Sequence, residues 1–177
     1  MNIFIVKTFG RLIVVSALLA FSASVHGDDV WLRELKNLAR SGNADAQYKV
    51  AVYYMKRGIY DSGIEWYITA AENGQARAEY ELADMYMKGD KVPKSIEKAL
   101  YWYQQSAQNG FMQGQAKLGT MYMNGGVVKK DLVQAYRWLR LAAAQGNTEA
   151  LEEINELEDR MSMDQVEEAE ALLAKGK

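Results

Sequence analysis

Small and apolar residues return at i, i+4, i+5 and i+8 in three separate stretches of the chain. They are Ala46, Val50, Ala51 and Tyr54, then Ala78, Leu82, Ala83 and Tyr86, then Gly114, Leu118, Gly119 and Tyr122. That spacing is one face of an α-helix and predicts first helices (A) over roughly 44–57, 76–88 and 112–124. Each is followed by a second helical stretch (B), over roughly 61–73, 95–109 and 131–145. Gly58, Gly89 and Gly125–Gly126 stand where the A helices need a left-handed end. Asp61, Ser95 and Asp131 stand where the B helices need an N-cap, and Asp131 with Gln134 has the spacing of a capping box. Pro93, the single proline, lies in one of the boundaries. No stretch alternates with period two, so no strand is predicted.

The hairpins repeat. Trp66, Trp102 and Trp138 lie 36 residues apart, each with a small residue three positions earlier (Gly63, Ala99, Ala135). Each is followed by a small pair (Ala70–Ala71, Ser106–Ala107, Ala142–Ala143) and then by Gly74, Gly110 or Gly146. A fixed period of this length marks an array of stacked supersecondary units. The first unit is four residues shorter between its Tyr and its Trp, a deletion that falls in the A–B turn. Before the array, Asp29 to Ala39 reads as an amphipathic half-unit with Trp31, Leu32, Leu35 and Leu38. After it, 147–160 and 164–174 read as two helices without the Trp and Tyr signature, as terminal units of such arrays are expected to be. The expected division is 28–41 as an N-terminal cap, repeats at 42–73, 74–109 and 110–145, and a C-terminal cap at 146–177.

Composition narrows the chemistry. Hydrophobic residues make up 49% of the 177, as in a folded domain rather than a disordered chain or a membrane bundle. Residues 1–27 read as a cleaved secretory signal, with an uncleaved N-terminal anchor as the alternative: Lys7 and Arg11 precede the apolar run Leu12 to Phe21, too short to span a bilayer, and Val25-His26-Gly27 precedes Asp28-Asp29. The expected location is therefore periplasmic or secreted, with no stable membrane insertion after cleavage. The chain has no Cys, and its single His, His26, lies inside the signal. A mature chain without either offers no zinc-type ligand set and no nucleophile–histidine pair, so neither a metal nor a cofactor is expected. Charge is uneven. From Asp28 to Thr148 there are 16 basic and 13 acidic residues, and from Glu149 onward 3 basic and 10 acidic. No dense basic stripe is present, so nucleic acid is not an expected partner.

Taken together, these residues resemble the Sel1-like repeat, a relative of the tetratricopeptide repeat. The third unit carries the pattern most fully, with Leu118-Gly119, Tyr122, Gly125, Ala135, Trp138, Ala142-Ala143 and Gly146. The second places Ala83 and Ser106 at small-residue positions. The first is degraded, with Val50, Ala51 and Gly63 and the shortened turn. The resemblance covers Gly42 to Gly146. It implies an all-α fold, a right-handed α/α superhelix whose A helices line a concave face, and a non-catalytic module binding another protein, as adaptor, scaffold or regulator. Exported bacterial members often serve the cell envelope. An immunity-like inhibitor of a toxic effector is the nearest alternative, and an envelope hydrolase acting on peptidoglycan or β-lactams a more distant one. Cysteine-rich relatives associated with β-lactams differ from this chain, which lacks their cysteines.

The repeated residues are expected to be structural: Trp66, Trp102 and Trp138, and Tyr54, Tyr86 and Tyr122, as packing between hairpins, with Met85, Met87, Met121 and Met123 as filler. Gly114 and Gly119 point to close helix approach. Candidate contacts are A-helix residues that do not repeat. By analogy with tetratricopeptide geometry they are Asp45, Tyr48, Val52 and Lys56, then Arg77, Tyr80, Asp84 and Lys88, then Gln113, Ala116, Thr120 and Asn124. Tyr and Arg among them suit protein recognition.

Overall fold

The computed structural model describes residues 30–175; the expected signal lies outside them. Among the described residues there are nine helices and no strand. Residues 30–40 form α1. The hairpins follow as α2 (Ala44–Lys56) with α3 (Tyr60–Glu72), α4 (Ala76–Lys88) with α5 (Ile96–Gln108), and α6 (Met112–Asn124) with α7 (Leu132–Ala144). Helices α8 (Thr148–Glu158) and α9 (Met163–Ala174) close the array. From α2 to α8 each helix packs on the next, most closely within a hairpin, and α9 rests on α7 beside α8. The result is an α-solenoid whose core is a row of small clusters, one per junction, rather than a single centre.

The small residues of the repeat let the helices approach. A Cβ on Gly119 would stand 2.7 Å from Cγ of Leu139 on the paired helix α7. One on Gly114 would stand 2.5 Å from Oγ of Ser106, on helix α5 of the preceding hairpin. The three Trp residues bridge junctions as expected: Trp66 packs against the clusters on both of its sides, and so does Trp102. Only Trp138 is buried, however, and Trp66 and Trp102 are half-buried. The buried aromatics of the first two units are the next residues along, Tyr67 and the fully enclosed Tyr103.

One rule connects A to B in all three units. The carbonyl of the repeated Tyr accepts from the N–H of the residue that caps the next helix: Tyr54 from Ile59, Tyr86 from Ser95, Tyr122 from Asp131. The four-residue deletion keeps this bond and changes the capping residue. Ser95 and Asp131 cap α5 and α7 through their side chains, but the cap of α3 is Ile59, with no side-chain bond. Asp61 therefore lies inside the first turn of α3, not at its cap. The Asp131 box is half-formed, because the Gln134 side chain bonds Arg137 instead. A complete capping box occurs at Ser162–Gln165 on α9.

Candidate functional site

Eight of the twelve A-helix residues singled out from the sequence divide between two clefts. The first, about 470 Å³, is lined by Trp31 of α1, by Tyr48, Lys49, Val52, Tyr53 and Lys56 of α2, and by Arg77 of α4. Helical spacing puts Tyr48, Val52 and Lys56 on one stripe. Its wall is aromatic. The Trp31 and Tyr53 rings lie 6.2 Å apart, Tyr48 meets Tyr67 edge-on at 5.8 Å, and the Arg77 guanidinium sits 5.5 Å from the Tyr48 ring. Arg57 covers Tyr53 from outside at 4.4 Å. Trp31 is 51% exposed. Lys49 and Lys56 have no ion-pair partner among the described residues, and Arg77 meets the half-buried Glu81 at 3.5 Å. No carboxylate lines the cleft.

The second cleft, about 170 Å³, is lined by Tyr80, Gln113, Ala116, Lys117 and Thr120, and by Asn147, Glu149, Ala150 and Glu153. It continues the A-helix line onto α8. Thr120 donates to Glu153 at 2.8 Å, so part of its polar lining is already satisfied within the chain. Tyr80 is half-buried, with its ring 5.6 Å from Tyr103 and 5.5 Å from Phe111. Its phenol is raised above the usual value by burial, and further by Asp84.

Asp84 and Lys88 belong to neither cleft. Asp84 accepts from Lys88 at 2.6 Å and from the Tyr103 hydroxyl. Burial alone would raise this carboxyl, but Lys88 and Tyr103 outweigh it and hold it below the usual range. Burial, and then the bond to Asp84, pushes the Tyr103 phenol well up. Asp45 is exposed and accepts from Gln75 at 3.3 Å. Asn124 is exposed at the end of α6. Trp31, Lys49 and Tyr53 were not singled out from the sequence. The signal available for Trp31 was its position on a capping helix whose inward face Leu35 and Ala39 already supply.

The acidic end is more integrated than a solvated cap. Tyr136 donates between Glu170 at 2.9 Å and Glu158 at 3.2 Å, and Arg140 meets Glu170 at 3.5 Å. Burial and the Glu170 bond push the Tyr136 phenol up to about 12. Among the described residues, no group of acidic or histidine side chains is gathered so as to hold a metal ion.

The Sel1 repeat profile matches residues 44–75, 76–111 and 113–147, more than half of the chain. The chain belongs to the Sel1 repeat family. Solved structures agree. A Sel1 repeat protein from Oxalobacter formigenes is 36% identical, with a TM-score of 0.67, over 71% of this chain and 97% of its own. The c5321 protein, a protective antigen of uropathogenic Escherichia coli strains with an SLR fold, is 28% identical with a TM-score of 0.68. That match covers 80% of this chain but 31% of c5321. No curated protein matches the chain. Sel1 repeats are generally protein-interaction modules and typically non-catalytic. Among the described residues, no helix is long and apolar enough to cross a membrane.

Proposed function

We propose that this Sel1 repeat protein binds a segment of another protein along its A helices, anchored in the Trp31–Tyr48–Arg77 cleft. The observation that supports this is the lining itself, in which exposed aromatic surface meets three basic side chains without a carboxylate among them. An isolated ionised group is costly to bury without a counter-charge. A partner supplying carboxylates would therefore be favoured over one supplying cations, and an apolar or aromatic side chain would fill the space between Trp31, Tyr53 and Val52. The partner segment is thus acidic with an apolar anchor. Tyr and Trp provide such contact at small entropic cost, having few rotatable bonds. The second cleft, bearing Lys117 with Glu149 and Glu153, would take the polar continuation of the same segment.

This activity is placed in the bacterial envelope or outside the cell, as adaptor, scaffold or regulator. Support for that location is the N-terminal pattern of Lys7, Arg11 and the short apolar run before Asp28. Two experiments test the reading. An array of peptides graded in charge should retain acidic, aromatic-containing peptides and release them from a Lys56→Glu, Arg77→Ala variant; retention indifferent to peptide charge would refute the anchor. Mass spectrometry of the exported fraction should find a chain starting at Asp28, whereas an intact N-terminus confined to the cytosol would remove the envelope assignment.

A further inference from the structure

The A helices of the three repeats are set on the same polar bridge, and one copy is chemically different. In the first junction, Gln47 of α2 donates from Nε2 to the Ala39 carbonyl at 2.9 Å and accepts at Oε1 from Asn73 at 2.9 Å. In the third, Gln115 of α6 donates to the Ala107 carbonyl at 3.2 Å and accepts from Gln145 at 2.8 Å. The carbonyl in each case also receives the N–H of the glycine three residues on, Gly42 or Gly110. Both glutamines are the fourth residue of their A helix, and Asn73 and Gln145 are the C-caps of their B helices.

The middle junction repeats every part but one. Glu79 is the fourth residue of α4, and Asn109, the C-cap of α5, donates to its Oε1 at 2.8 Å. The Ala71 carbonyl receives the Gly74 N–H, as Ala39 and Ala107 receive theirs. Glu79 is 2% exposed, and its Oε2, which takes the place of the donating glutamine nitrogen, has no hydrogen-bond partner. A carboxylate offers only acceptors, so it cannot make the bond that the amide makes. A carboxylic acid can.

We propose that Glu79 takes a proton on Oε2 and donates it to the Ala71 carbonyl, completing the bridge as a neutral acid and making the middle junction sensitive to pH. No charge in the packing neighbourhood offsets ionisation. From α3, Asp61, Glu65 and Glu72 are exposed and Tyr67 is a phenol raised by burial. From α5, Glu97 and Lys98 are exposed in its first turns, far from Asn109, and Tyr103 is bonded to Asp84. From α6, Lys117 lies over the Tyr103 ring at 5.9 Å. From α2, Asp45 is bonded by Gln75, and Tyr48 and Lys49 face the first cleft. On α4 itself, Arg77 pairs with Glu81 and Asp84 with Lys88. Burial accordingly raises the Glu79 carboxyl, opposed by the Asn109 bond. The sign follows: an acid raised in the folded state contributes stability below its unfolded value that is lost as pH rises through the folded value. Glu79 also sits between Arg77 and Tyr80 in the sequence, on the helix that supplies one residue to each cleft. Loosening this junction as pH rises would therefore weaken both clefts, a consequence that rests on the binding reading above.

The test does not use binding. Thermal melting of the full chain and of Glu79→Gln is compared from about pH 4 to about pH 8. Gln occupies the equivalent position in both neighbouring junctions, so the variant keeps the fold. The two proteins should melt together in acid, with the variant ahead by a few degrees as pH rises. Curves that stay parallel across the range, or a wild type that gains on the variant, would overturn the proposal. Independently, the Glu79 carboxyl carbon followed by NMR should titrate above the exposed glutamates; titration among them would overturn it as well.

Discussion

Tyr103 is completely buried, and its hydroxyl is held by Asp84, whereas its neighbour Trp102 is half-buried across a junction. Removing a large, fully enclosed aromatic costs about 3–5 kcal/mol, so Tyr103→Ala should fall in that range and Trp102→Ala below it. Urea denaturation of the two variants checks the order, and a larger loss for Trp102 would contradict the burial argument. Gly114 makes the complementary point. Alanine is the better helix former by about 1 kcal/mol, yet its Cβ would stand 3.0 Å from the Ala107 backbone nitrogen and closer still to Ser106. Backbone cannot yield as a flexible side chain can. Gly114→Ala should therefore lower the melting temperature despite its helix propensity, and a rise would show that α5 and α6 can separate freely. Asp84 titrates in the sense opposite to Glu79. Its carboxyl is lowered in the folded protein, so its contribution is present at neutral pH and lost as pH falls from the usual value downward. The stability gap between wild type and Asp84→Asn should narrow in acid, a trend that equilibrium unfolding at several pH values would show.

The A–B turn shows what a four-residue deletion does to a helix. In the second and third hairpins the turn ends on Ser95 or Asp131, which give the new helix a side-chain acceptor. In the first, the chain reaches α3 at Ile59, 46% exposed and unable to cap. Restoring an acceptor at an N-cap contributes about 1 kcal/mol, so Ile59→Asp should raise the melting temperature and leave the fold unchanged; a loss would mean that Ile59 packs where it appears exposed. The same position explains why the sequence located most helices closely and misread this cap. Apolar spacing and the terminal glycines are local signals, and they set the helices to within a residue or two. The cap depended on where a shortened turn would end, and Asp61, the only acidic residue nearby, fell two positions too late. The buried polar bridges were not read at all, because Gln47, Glu79 and Gln115 look like ordinary surface residues until their helices are stacked. Candidate contacts behaved similarly. Tyr48, Lys56 and Arg77 meet in one cleft and Tyr80, Gln113 and Thr120 in another, but Asp84 and Lys88 satisfy each other, a pairing at i, i+4 that the spacing alone allowed. Trp31 was hidden by its place on a capping helix.

Along the whole solenoid, charge runs from basic to acidic. The first cleft gathers Lys49, Lys56 and Arg77, and the chain from Glu149 onward carries ten carboxylates. Several of those carboxylates already serve the fold through Thr120, Tyr136 and Arg140, which leaves the basic, aromatic end as the one with unspent capacity for a partner. Two consequences follow for an acidic, aromatic-containing peptide selected by the array. Its affinity should fall with added salt, since exposed charges attract less strongly once the Debye length shrinks to about 3 Å at 1 M. Truncating an anchor residue at an interface typically costs about 2 kcal/mol or more, roughly thirtyfold in affinity. Trp31→Ala and Arg77→Ala should each weaken binding on that order, with melting little changed because both side chains are largely exposed. Tyr80→Ala does not suit this test, because its ring packs on Tyr103 and Phe111 and its loss would destabilise α4 and α5. Glu167 and Glu168, exposed on α9, provide the control: their change to Gln should leave affinity within about twofold, as expected of surface substitutions away from an interface. Calorimetric titration of the four proteins decides between the two ends. If Glu167→Gln with Glu168→Gln abolishes binding while the Trp31 and Arg77 variants retain it, the partner docks on the acidic helices and the cleft assignment fails.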